Sequence, residues 1–162
     1  MKTCIINFQS VNNKKADIFN LIDSDKPDII AGSETWLNSS VSSSEIFPAG
    51  YTVYRSDRLK GNHGGALLAI RADLTAERLE TSQDLEAVFI KMSTKKGKTP
   101  LIVGSIYRPT NNDLQYSNSL CSTIENFRKS TRRRASGCVE TSICLMLPGS
   151  LIPSTDTSTH VI

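Results

Sequence analysis

What this chain has little of narrows its class before any motif is read. It has two histidines, His63 and His160, and four cysteines, Cys4, Cys121, Cys138 and Cys144, in 162 residues. Their spacing fits neither a zinc site nor the dense framework of a small disulfide-stapled domain, and free thiols suit a reducing compartment. An intracellular location, nuclear or cytoplasmic, is therefore expected. No apolar run is long enough to cross a bilayer, no signal peptide precedes the first strand-like segment, and no internal repeat is visible. The length suffices for a single core.

What is present is an apolar strand that runs straight into an acid. Pro27-Asp28-Ile29-Ile30-Ala31-Gly32-Ser33-Glu34-Thr35-Trp36-Leu37 is a β-branched stretch bounded by Pro27 and a serine-rich segment. That pattern predicts a buried strand of a parallel or mixed sheet. Ligand chemistry in open α/β sheets gathers at the carboxyl ends of strands, where Glu34 falls. A lone acid there is most simply a solvated side chain, so its neighbours matter.

The neighbours begin at Thr3 to Phe8, a β-prone run with Asn7 near its end. Gln9-Ser10 follow, then Asn12-Asn13 as a helix start and a helix carrying Ile18, Leu21 and Ile22. A right-handed strand, helix, strand crossover makes the two strands parallel and brings Asn7 and Glu34 to one sheet edge. An amide and a carboxylate meeting there suit a phosphate and a divalent cation, although an Asn near a helix start also serves as a cap.

Further along, Tyr51 to Arg55, Gly65 to Arg71, Leu85 to Met92 and Leu101 to Tyr107 read as strands, with Lys95-Lys96-Gly97-Lys98 as a hairpin-like turn. Gly64-Gly65 lets the backbone turn into its strand, and His63 reads as a loop residue. Ser39, Ser40, Ser42, Ser43 and Ser44 form a polar loop expected to cover the functional edge; Asn38-Ser39-Ser40 fits a glycosylation pattern but is discounted without a signal peptide. Asn112 to Lys129 carries Leu114, Leu120, Ile124 and Phe127 at helical spacing.

Asn7-Phe8-Gln9-Ser10, the Pro27-to-Leu37 run, Gly64-Gly65-Ala66-Leu67-Leu68-Ala69-Ile70-Arg71 and Ile106-Tyr107-Arg108-Pro109, in that order and spacing, resemble the endonuclease/exonuclease/phosphatase family. The likeness is nearest to the apurinic-type endonuclease domain of non-LTR retrotransposons, which precedes the reverse transcriptase. It implies an α/β fold, a partial two-sheet α/β sandwich of the DNase I-like type, and hydrolysis of DNA phosphodiester bonds with magnesium or manganese (Mg2+ or Mn2+). Carried over by position, it makes Glu34 the metal-binding carboxylate, Asn7 its metal-side neighbour, and Tyr107 the tyrosine facing the scissile phosphate. Ser10 and Arg108 are read as nucleic-acid contacts, with a plain surface charge as the equal alternative for Arg108. No small-molecule cofactor beyond the metal and no membrane partner is implied.

The resemblance covers residues 1–127 and then stops. The family continues into a Gly-Asp-Phe-Asn-type motif, whose Asp and Asn hold the attacking water and phosphate, and later a Ser-Asp-His motif. Neither occurs in these residues. Ser158-Thr159-His160 is similar to the latter but lacks the aspartate that would orient the imidazole.

Charge divides the chain at the same place. Residues 1–127 hold 14 basic and 14 acidic residues; residues 128–162 hold the other five bases, Arg128, Lys129, Arg132, Arg133 and Arg134, with two acids, and so carry the whole net charge of +3. The cluster suits nucleic acid or nuclear import, or is a solvated basic run, and Arg133-Arg134-Ala135-Ser136 resembles a basophilic kinase site. Prolines, serines and threonines beyond it leave little to pack, so 128–162 is expected to be a disordered tail. The reading is a retrotransposon endonuclease domain, truncated and inactive or nearly so. The alternatives are a non-catalytic nucleic-acid-binding remnant and a product that does not fold stably.

Overall fold

Strand β1 (Thr3–Asn7) and strand β2 (Ile29–Ser33) are parallel neighbours, with Asn7 in register beside Ser33. Helix α1 (Lys15–Asp25) makes the crossover between them and buries Ile18 and Leu21 on the sheet. Asn12 and Asn13 lie in a 3-10 turn, Val11–Lys14, that feeds the helix without a side-chain cap. The coordinates are those of a computed structural model, and the residues it describes are 1–58, 61, 63–93, 100–108, 114–134, 142–146 and 159–161.

The other elements are β3 (Tyr51–Ser56), β4 (Ala66–Arg71), β5 (Ala76–Leu79), β6 (Ala87–Met92), β7 (Leu101–Ile106), helix α2 (Leu114–Arg134), β8 (Ser142–Met146) and β9 (Thr159–Val161). They form two mixed sheets, in the orders β3-β4-β2-β1-β9 and β5-β6-β7-β8. The predicted strands are present within a residue or two of their expected ends. β5 was not expected: Ala-Glu-Arg-Leu has little strand character, and its pairing with β6 is supplied by the neighbouring strand.

The two sheets face each other across Ile29, Ala31, Leu68, Ile70, Val88, Ile90, Met92 and Val103. On the outer face of the first sheet, Cys4, Phe8, Ile30, Leu67 and Ala69 pack under α1. On the outer face of the second, Ala87, Phe89, Ile102 and Ile106 take the α2 stripe of Tyr116, Leu120, Ile124 and Phe127. The central strands β2, β4, β6 and β7 are therefore covered on both faces, which is why their sequences are nearly continuous apolar runs rather than alternating ones. Burial raises the Cys4 thiol pKa, so this cysteine is a packing residue. The Ser105 hydroxyl donates to the Gly32 carbonyl at 2.9 Å, satisfying a buried polar group while tying β7 to β2.

The segment expected to be a disordered tail from residue 128 instead starts inside α2, and it contributes β8 beside β7 and β9 beside β1. Arg and Lys are good helix formers, so a helix anchored by its apolar stripe runs on into the basic cluster. The rest of that segment, the Lys95-to-Lys98 turn, Ser136 and Ser158 lie outside the described residues. No described helix is long and apolar enough to cross a membrane.

Candidate active site

The loops that leave β1 and β2 are built against each other. Phe8 N donates to Ser33 O, Ser10 N to Glu34 O and Val11 N to Thr35 O, each at 3.0 Å, so the parallel ladder continues past the strands. Four non-glycine residues here lie in the left-handed region: Gln9 (φ 45°), Ser10 (φ 87°), Glu34 (φ 51°) and Trp36 (φ 54°). Each costs roughly 1–3 kcal/mol and persists only where surrounding bonds over-determine it. The cross-loop bonds do so here. The result is that Asn7 Nδ2 donates to Glu34 Oε1 at 3.1 Å, while Asn7 Oδ1 accepts from Gln9 N at 3.3 Å.

A third loop locks the Glu34 turn from the other side. Trp36 N donates to Gly64 O at 3.0 Å and Thr35 N to Gly65 O at 3.5 Å. Gly64 and Gly65 have φ of 108° and 84°, and a Cβ on Gly65 would stand 2.5 Å from Thr35 Oγ1, so both the backbone conformation and the space require glycine. Gly65 N donates to Glu86 Oε2 at 2.9 Å. Glu86 also bonds Tyr107 through the backbone, Tyr107 N donating to Glu86 O at 2.9 Å. A Cβ on Gly64 would lie 3.1 Å from Tyr107 Cε1, which places the tyrosine ring against this turn.

Each expected site residue therefore has a definite place. Asn7 and Glu34 are in direct contact. Tyr107 reaches the same end of the sandwich through Gly64 and Glu86; its carbonyl accepts from Tyr116 Oη at 2.7 Å, and its own hydroxyl has no partner among the described residues. Ser10 holds the Glu34 turn by its backbone. Arg108 is exposed and donates from Nη2 to Ser117 Oγ at 3.1 Å. Arg132, Arg133 and Arg134 are not brought to the site: Ser117 is near the start of α2, and at about 1.5 Å per residue Arg132 is about 22 Å further along its axis.

Four residues around this centre went unremarked or undervalued in the sequence: Arg58, Glu86, Trp36 and His63. Arg58 Nε lies 3.3 Å from Glu86 Oε1, and its Nη1 donates to His63 O at 2.7 Å. His63 meets Trp36 edge to face, with centroids 4.4 Å apart and planes at 82°. Trp36 Nε1 and Thr35 Oγ1 are buried polar atoms without a partner among the described residues, both beside Glu34, and such groups concentrate where structure is kept for reasons other than stability. In the sequence Glu86 stood only as an acid near the start of the expected Leu85 to Met92 strand. Beside Asn7, a cleft of about 280 Å³ between β1 and α1 is lined by Ile6, Phe8, Ile18 and Leu21, with Lys14 and Asp17 also on its wall.

The donor set fits a hard cation held lightly. No group of three His, Cys, Asp or Glu side chains that would enclose a metal occurs among the described residues. Glu34 is half-exposed, with one carboxylate oxygen engaged by Asn7 and the other without a partner among the described residues. Magnesium is commonly bound in this way, through one or two carboxylates, with water and a substrate phosphate completing the shell.

No protein-family model and no curated protein matches the sequence, whereas solved structures match the fold. The AP endonuclease LMAP from Leishmania major aligns with a TM-score of 0.58 at 13% identity, over 88% of this chain and 52% of its own. The Xenopus laevis APE2 catalytic domain aligns with a TM-score of 0.60 at 16% identity, over 83% and 55%. The endonuclease domain of TRAS1, a telomere-specific non-LTR retrotransposon, gives 0.55 at 16%, over 81% and 54%. The chain thus spans about half the length of these structures. With two stacked mixed sheets between flanking helices and its acid at the strand ends, the chain has the endonuclease/exonuclease/phosphatase fold, in the form of a partial DNase I-like sandwich.

Proposed function

We propose that residues 1–127 are the N-terminal part of a metal-dependent DNA endonuclease domain of the non-LTR retrotransposon type, and that the basic residues from Arg128 onward, which continue helix α2, lie outside its site. The observation that carries this reading is the Asn7 to Glu34 contact at the carboxyl ends of parallel strands. Glu34 holds Mg2+ or Mn2+, with Asn7 beside it fixing the carboxylate. The metal, when bound, supplies positive charge to a phosphodiester oxygen. Tyr107 directs its hydroxyl at the same phosphate, where a donor aimed at developing charge is most effective.

Neither candidate base described beside this centre is placed to activate water. The Glu86 carboxylate is occupied by Gly65 N and Arg58, and the His63 ring, in contact with Trp36, has no carboxylate partner among the described residues to orient its imidazole as a base. On this reading residues 1–127 bind metal and DNA and are inactive, or nearly so, in cleavage.

The test uses the chain's single tryptophan, Trp36, two residues from Glu34. Mn2+ is expected to quench its fluorescence saturably, and E34Q to abolish the saturable response. Plasmid nicking in Mg2+ is expected to stay at background. Quenching unchanged in E34Q would overturn the metal assignment; metal-dependent nicking lost in E34A would overturn the claim of inactivity. DNA binding unaffected by metal or by E34Q would favour the remnant reading.

A further inference from the structure

We propose that Arg58 is the phosphate-binding cation of this site, held in place by Glu86; the proposal rests on the function proposed above. Basic residues read from the sequence as DNA contacts are placed elsewhere or otherwise engaged. Arg132 to Arg134 are at the far end of α2, and Arg108 is bonded to Ser117. Arg55 gives its donors to Asp57, to Val41 O and to Asn38 O, while Arg71 pairs with Asp28 and Asp73. These two are structural.

Arg58 differs in three ways. Its side chain is 32% exposed while that of its partner Glu86 is 16% exposed, so the pair is rooted inside and opens outward. Nε is set by Glu86 and Nη1 by His63 O, whereas Nη2 has no partner among the described residues. And Arg58 shares a neighbour with the rest of the site: a Cβ on Gly64 would lie 3.1 Å from both Arg58 Cδ and Tyr107 Cε1. The same glycine accepts the Trp36 N–H that closes the Glu34 turn.

The consequence is a pre-set donor. A guanidinium is a planar fork suited to phosphate oxygens, and a side chain already ordered by two partners loses less freedom when it binds. Glu86 orients Arg58 and, through Gly65 N, also fixes the turn behind Glu34. Tyr107 and Arg58 therefore flank one glycine as two phosphate donors, with the metal-binding carboxylate on the adjoining turn.

The experiment measures anisotropy of a short fluorescein-labelled DNA duplex with the full chain in Mg2+, across a salt series. R58Q is expected to bind about tenfold more weakly, the loss typical of one charge-assisted hydrogen bond, and to lower the slope of log affinity against log salt by about 0.9. R58K is expected to restore the slope but leave affinity about threefold down, because an ammonium lacks the fork. Wild-type affinity and slope in R58Q, or wild-type affinity in R58K, would overturn the assignment. Circular dichroism and the Mn2+ response of Trp36 serve as controls: if they are native while R58Q binds normally, only this inference fails. If the unaltered chain neither binds the duplex nor responds to Mn2+, the proposed function fails and takes this inference with it.

Discussion

The amide of Asn7 and the carboxylate of Glu34 meet at 3.1 Å from positions 27 residues apart in the chain. They are joined because β1 and β2 are parallel neighbours and because the backbone ladder runs on past both strands. The Asn7 amide restrains Glu34 much as outer-shell partners restrain metal ligands.

N7A should therefore weaken Mn2+ binding at Glu34 by about tenfold, the lower end of what loss of such a partner costs, while leaving the fold intact because Asn7 is exposed. Quenching of Trp36 fluorescence measures it directly, and an unchanged midpoint would mean that Glu34 does not need the amide.

Gly65→Ala should destabilise the protein by about 1–3 kcal/mol, since a non-glycine residue at φ 84° is strained and its Cβ would collide with Thr35 Oγ1. Gly50, where an added Cβ would meet nothing within 4 Å, is the matched control, and its alanine variant should be neutral by urea denaturation.

Stability should fall as pH rises through the alkaline range. Burial, then the nearby Glu86 charge, pushes the Tyr116 hydroxyl up to about 12 from 10.0. The folded state thus keeps a proton that the unfolded chain releases first. The contribution is fully present below about pH 10 and is lost between about 10 and about 12. Y116F should flatten this part of a stability against pH series, leaving the contribution of Tyr51, whose pKa burial also raises. It should also cost about 1 kcal/mol near neutrality from the lost bond to Tyr107 O.

H63A should cost no more than about 0.5–1.5 kcal/mol, the worth of an aromatic pair, yet expose Trp36 on one side. A rise in acrylamide quenching and a red-shifted emission would report that change, and their absence would mean the ring contact does not shield the indole.

Much of the site was legible because it depends on local rules. Thr3–Phe8, the α1 periodicity and the Pro27-to-Leu37 run each carry their own signal, and a short right-handed crossover leaves little choice about where Asn7 and Glu34 end. Tyr107 was legible as the end of an apolar run. Arg58 and Glu86 were not, because each gains meaning only from the register of antiparallel strands: Ala87 pairs with Ile106 and Ser56 with Ala66, which puts the start of β6 beside the end of β7 and the end of β3 beside the glycine turn. The place of the basic cluster was hidden for the opposite reason. Its charge is evident in the sequence, but a helix that starts near the site carries its far end away from it.

The sequence by itself determined the alternation of strands and helices, the apolar runs that must be covered on both faces, and the acid at the end of β2, since these follow from side-chain chemistry and from distances along the chain. Only the tertiary structure decided which charges meet. Glu86, Arg58, Gly64 and Tyr107 come together because two sheets stack and three loops exchange backbone bonds at one edge, and contacts between segments so far apart are set by packing of the whole sandwich rather than by any local pattern.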